Sequence, residues 1–127
     1  MQGRRRQRGQ QGEQIAVTYL QRQGYRIQQQ NYRSRYGEID IIAWDGSTLV
    51  FVEVKTKTTT TFGLPQEMVD HRKQRTLTRV AVAYIQQQRL QQTAVRFDVV
   101  GVIIQPHGTC DVTHIQAAFS PSNFFLY

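Results

Sequence analysis

Between residues 9 and 23 the apolar side chains Ile15, Ala16, Tyr19 and Leu20 recur at helical spacing, and Gly24 follows as a stop signal. Tyr25 to about Asn31 alternates more weakly and reads as a strand. The period then drops firmly to two. Residues 38–44 and 48–57 are strong strands around Asp45-Gly46, a hairpin turn signal. From Pro65 to about Arg89 a helical stripe returns, with Leu77, Val80, Ala81, Tyr84 and Ile85 at the spacing of one helix face. RFDVVGVII (96–104) has the look of a buried strand, and CDVTHI (110–115) that of a short final one. The predicted order is α-β-β-β-α-β-β. A long helix between two strongly apolar strands requires a crossover connection, hence an α/β fold with a mixed central sheet covered by helices.

Three charges interrupt this pattern. In GEIDIIAWDGSTLVFVEVKTK (37–57), Asp40, Glu53 and Lys55 sit inside the apolar runs, where an unpaired charge is costly. Alternation puts Glu53 and Lys55 on one face, as it does Glu38 and Asp40. An even-length loop brings Asp40, Glu53 and Lys55 to the same face. A two-residue loop at 45–46 sets Asp40 opposite Phe51, a four-residue loop at 45–48 sets it opposite Glu53, and a three-residue loop separates the charges. Two carboxylates about 4 Å apart repel by roughly 4 kcal/mol at an effective dielectric of 20. A raised pKa or a cation relieves that repulsion. Carboxylate oxygens with no neighbouring cysteine or histidine cluster suit Mg²⁺ or Mn²⁺ better than zinc. A lysine two residues after the second acid can then orient water or neutralise a phosphate. The competing reading of the same residues is a sheet-edge salt bridge between Lys55 and Glu53 or Asp40.

Composition adds a partner. The 127-residue chain carries a net charge of +7, placed entirely at one end: residues 1–36 hold eight arginines against one acid, Glu13, and the remainder is neutral. Arginine suits bidentate phosphate contacts, so a polyanion is the expected partner. Residues 1–11 read as a basic, flexible arm. A solubilising tail is the alternative for its first ten residues. No apolar run approaches the roughly 20 residues of a membrane span, and no membrane association is expected. The single cysteine, Cys110, fits a reducing, cytoplasmic setting. His71, His107 and His114 lack metal-ligand spacing and read as surface or packing residues; Asp98 receives no assignment.

The blocks GEQIAVTYLQRQGY, NYRSRYGEIDIIAWDG, LVFVEVKTK, FGLPQEMV, RFDVV and HIQAAF, in that order, resemble the YraN-type family of uncharacterised bacterial proteins. The resemblance runs from about Gly12 to Phe119, so residues 12–119 are the expected domain and 120–127, closing on NFFLY, a C-terminal tail. It implies a restriction-endonuclease-like core and a metal-dependent nuclease acting on DNA, with branched or junction DNA among the candidate substrates. In that reading Asp40, Glu53 and Lys55 are the catalytic residues. Asp40, Glu53 and Glu13 are the Mg²⁺ or Mn²⁺ ligands, Glu13 falling on the position of the helix-1 acid of junction resolvases. Ile39 stands where the nuclease motif often has proline. Lys73, one turn before Leu77, is a candidate to point toward the site. Arg33, Arg35 and Lys57 flank the hairpin and are candidates for phosphate contact. Glu38 is a weaker ligand candidate. A non-catalytic nucleic-acid-binding module of the same fold is the alternative, a structural subunit a third. The NFFLY tail reads as core cover, with a homodimer contact as its alternative.

Overall fold

The computed structural model describes residues 2–58 and 69–121. Along the chain these form α1 (Gln2–Arg22), β1 (Arg26–Ser34), β2 (Gly37–Asp45), β3 (Thr48–Lys57), α2 (His71–Gln87), β4 (Val95–Ile104) and β5 (Cys110–Ile115). The order is the one the hydrophobic pattern predicts. The five strands lie in sequence order in one mixed sheet. β1, β2 and β3 form an antiparallel meander, β4 runs parallel to β3, and β5 returns antiparallel to β4.

The sheet lies between the two helices. On one side Leu77, Val80, Ala81, Tyr84 and Ile85 of α2 pack on Ile42, Phe51, Phe97 and Val99. On the other, Ala16, Val17 and Leu20 of α1 pack on Ile41, Ala43, Val50, Val52, Val100 and Val102. Burial of both faces explains why β3 and β4 read as nearly continuous apolar runs. Each such Val, Ile or Phe contributes about 1.5–3 kcal/mol relative to exposure.

The largest differences from expectation are at the starts of the two helices. α1 begins at Gln2 and not at residue 9, because the Gln- and Arg-rich stretch before it has good helix propensity. α2 begins at His71, after Asp70, whose side chain accepts from the Lys73 N–H at 2.8 Å as an N-cap. Pro65, where the sequence signal begins, lies outside the described residues, as does NFFLY. Among the described residues, no helix is long and apolar enough to cross a membrane.

Candidate functional site

The β2–β3 hairpin closes with Asp45 opposite Thr48, leaving Gly46 and Ser47 as a two-residue loop, with Gly46 at φ 61°. The loop is even in length, shifted by one residue from the 45–46 alternative. Its register, continued, sets Asp40 opposite Glu53. The β2–β3 ladder stops one step earlier, at Ile41↔Val52. Beyond that point β2 stays paired with β1 to Gly37, and β3 stays paired with β4 to Lys57. The sheet therefore opens between its second and third strands, and Asp40 and Glu53 stand at the opening. Asp40 Oδ2 takes over the missing ladder contact by accepting from the Val54 N–H at 2.8 Å.

Asp40 also marks a break in side-chain alternation. Ile41 packs with α1, yet Ile39, two residues away, packs with α2. Asn31, across the β1–β2 ladder from Asp40, has φ 53°, so β1 bends at the same point. Asp40 consequently lies between the two layers. Glu13 comes to it from the α1 side, within electrostatic reach of Asn31, Asp40 and Glu38, and Glu53 from the α2 side. Gly12 allows α1 to come this close. It is buried, and a Cβ there would collide with Thr56 Oγ1 on β3.

The electrostatics follow from this crowding. Burial, then the neighbouring Glu53 charge, pushes the Asp40 carboxyl from 3.8 up to about 8, against the favourable Val54 N–H. Burial also raises Glu13, with the Asn31 hydrogen bond opposing and the Glu38 charge adding to it. Glu53 is only 6% exposed and is flanked by two cations: Lys73 Nζ lies 3.4 Å and Lys55 Nζ 3.6 Å from its Oε2. A cavity of about 560 Å³ beside Asp40 is lined by Gly9, Glu13, Asp40, Val54, Thr56, Lys57 and Thr58. Glu53 and Lys55 lie on the α2-facing side of β3, with Phe51.

Each residue singled out in the sequence thus has a place. Glu13, Asp40, Glu53, Lys55 and Lys73 converge, and Lys57 lines the adjacent cavity. Arg33 is exposed and pairs with Glu38 at 3.6 Å, while the Glu38 charge still reaches Glu13. Arg35 lies over the Tyr36 ring. The sequence reading missed Asn31, whose signal is an asparagine in a strand, a residue type that tolerates positive φ. It also left Asp98 unassigned. That side chain is fully buried and accepts from Arg96, Tyr25, His114 and the Ala117 N–H. His114 is accordingly an interior residue of that network.

Among the described residues, no three His, Cys, Asp or Glu side chains are gathered tightly enough to enclose a metal ion. The donor chemistry nevertheless fits a hard divalent cation. Asp40 and Glu53, with Glu13 beside them, offer oxygen atoms only, and their mutual repulsion is what such an ion relieves.

Fold and site together define an α/β protein with a half-buried carboxylate group, flanked by lysines, at the open end of a mixed sheet. The family model described as "Uncharacterised protein family UPF0102" matches residues 12–102. The chain belongs to this family, the YraN-type group that its sequence blocks resemble. It is 50% identical over 111 residues to a UPF0102 protein of Syntrophus aciditrophicus, covering 87% of each chain. It is 46% identical over 111 residues to one of Geotalea daltonii, again covering 87% of each. Against one of Persephonella marina it is 42% identical over 112 residues, covering 88% of this chain and 92% of the relative.

Proposed function

We propose that this protein is a metal-dependent phosphodiester hydrolase acting on DNA, with the restriction-endonuclease-like core that its sequence resembles. The observation that carries the reading is Asp40. A carboxyl pushed up to about 8 between two further carboxylates is an arrangement a fold keeps at a cost in stability. Strongly perturbed acids in a cleft cluster at functional sites. Asp40 and Glu53 would hold Mg²⁺ or Mn²⁺, with Glu13 assisting. Such an ion lowers the pKa of a water and offsets charge building on the phosphate. Lys55, beside Glu53, orients the water and stabilises the developing negative charge. Lys73, the counter-ion of Glu53 on the α2 side, would be available to neutralise phosphate where Glu53 holds the ion. Lys57 on the cavity wall faces the approaching backbone.

A second reading is favoured by one contact set. Lys55 and Lys73 already neutralise Glu53, as they would in a non-catalytic nucleic-acid-binding module. One experiment separates the two. The purified protein is incubated with labelled single-stranded, duplex and branched DNA, with and without Mg²⁺ or Mn²⁺, while its Tm is followed against metal concentration. The hydrolase reading expects metal-dependent cleavage and a metal-dependent rise in Tm. Glu53→Gln should abolish the Tm rise. Glu53→Gln and Lys55→Ala should each lower cleavage by about 100-fold or more, the scale of losing one preorganised electrostatic contact. A Tm indifferent to millimolar metal, with no cleavage of any DNA, leaves the binding module.

A further inference from the structure

Away from the carboxylate group, the turn between β1 and β2 presents an aromatic ring to solvent. Among the described residues, Tyr36 is the exposed large hydrophobic side chain, at 41%. Its ring carries the Arg35 guanidinium 4.9 Å from its centroid, and Arg35 also donates to the Tyr36 hydroxyl at 2.7 Å. The ring is also one wall of a shallow cavity of about 270 Å³, completed by Arg79, Val82, Ala83 and Gln86 of α2. The wall is fixed in place. Gly37, at φ 146°, packs so closely on Thr76 and Val80 of α2 that a Cβ would have to displace Thr76. The turn and the helix thus hold one geometry.

The charge along α2 has one sign. α2 contains no aspartate or glutamate between His71 and Gln87, and it exposes Arg72, Arg75 and Arg79 in succession along its outer face. These positions are spaced three and four apart, so they form one stripe. The stripe begins beside Lys73, whose ammonium reaches the carboxylate group, and ends at the Tyr36 cavity. A flat ring next to an apolar floor, reached along a row of guanidinium groups, is the chemistry that receives an unpaired base and its flanking phosphates.

We propose that Tyr36 is a stacking platform for an unpaired nucleobase. Arg35 and Arg79 contact the adjacent phosphates, and the strand follows the α2 stripe toward the carboxylate group. The inference rests on the nucleic-acid reading above and specifies its substrate class: DNA with a single-stranded or displaced segment. A paired base keeps its ring faces inside the stack, so fully duplex DNA gains nothing from Tyr36.

The test uses the full chain in EDTA, so that no cleavage intervenes. Fluorescence anisotropy measures binding of a labelled single strand and of the matched duplex, and 2-aminopurine within the single strand reports stacking. Tyr36→Ala should weaken single-strand binding by about tenfold or more, the cost of one lost base–aromatic contact. It should leave duplex affinity and Tm unchanged and remove the 2-aminopurine quenching seen with wild type. Tyr36→Phe should restore both affinity and quenching. Equal losses on single strand and duplex, or an unquenched probe on wild type, would overturn the platform. Metal-dependent cleavage by the same preparations would then still stand, which separates failure of this inference from failure of the hydrolase reading. Wild type that binds neither DNA overturns the platform, and cleavage in Mg²⁺ or Mn²⁺ decides the hydrolase reading separately.

Discussion

Asp40 is half-buried and Asp98 fully buried, and their surroundings drive the two carboxyls in opposite directions. Asp40 has carboxylates for neighbours and keeps its proton up to about pH 8 in the folded protein, against 3.8 ordinarily. Between those values the folded chain binds more protons than the unfolded one, so this group's contribution to stability falls as pH rises from about 4 to 8. Asp40→Asn keeps an acceptor for the Val54 N–H while removing the titration. Without divalent metal, its Tm should therefore exceed that of wild type at pH 8, and the difference should vanish near pH 4. Thermal unfolding across that range checks it; a wild-type Tm that rises over the same interval would contradict the assignment. The spacing of Asp40, Glu53 and Lys55 was legible in the sequence because a strand's period of two is rigid. The depth of Asp40 was not. It comes from the left-handed Asn31 and from the separation of β2 and β3, which no short window of sequence encodes.

At the scale of elements, the strands were readable because both faces of β3 and β4 are buried and their residues are β-branched. Helix ends were less so. The N-cap at Asp70 competes in the sequence with the stronger-looking Pro65, and local turn chemistry decided the start. The placement of α1 depends on a residue whose importance is steric. Glycine inside a helix costs about 1 kcal/mol relative to alanine, yet Gly12 lies in α1 against Thr56. Gly12→Val should push α1 off β3, lowering stability by about 1–3 kcal/mol through overpacking and moving Glu13 away from Asp40. Chemical denaturation reads the first effect. A smaller pH dependence of Tm between about 4 and 8 reads the second, because Asp40 loses one of the charges that raise it. Thr56→Ala in the same background should recover part of both.

Over the whole molecule, Asp98 ties together elements that are distant in the chain. Its carboxylate accepts from Arg96 on β4, from Tyr25 ahead of β1, from His114 on β5 and from the Ala117 N–H. Arg96 extends the network to Asp45 at the hairpin end, 3.1 Å away. Burial opposes ionisation of Asp98, but the hydrogen bonds from His114, Arg96 and Ala117 outweigh it and hold the carboxyl below its usual range. The stability this supplies is present above pH 3.8 and is lost as pH falls through the lowered folded value, the reverse of Asp40. Asp98→Ala leaves Arg96 and His114 facing a void and should cost about 3–5 kcal/mol at pH 7, the range for breaking a buried pair. Urea unfolding measures it, and a loss below about 1 kcal/mol would make the network incidental. Sequence reading left Asp98 aside because its partners lie up to 73 positions away.

The parallel pairing of β3 with β4 has a consequence for the order in which the chain leaves the ribosome. The meander β1–β3 can zip from its tight turns as soon as it emerges. One long side of β3 then has no partner until Val95–Ile104 has been synthesised and α2 has crossed over. During that interval the nascent chain presents Val50, Phe51 and Val52 along an unpaired edge, the kind of surface that recruits wrong neighbours. Pairing across such a sequence separation is slow. Residues that the folded molecule keeps almost wholly buried are thus the ones most exposed to capture by other chains while it is being made.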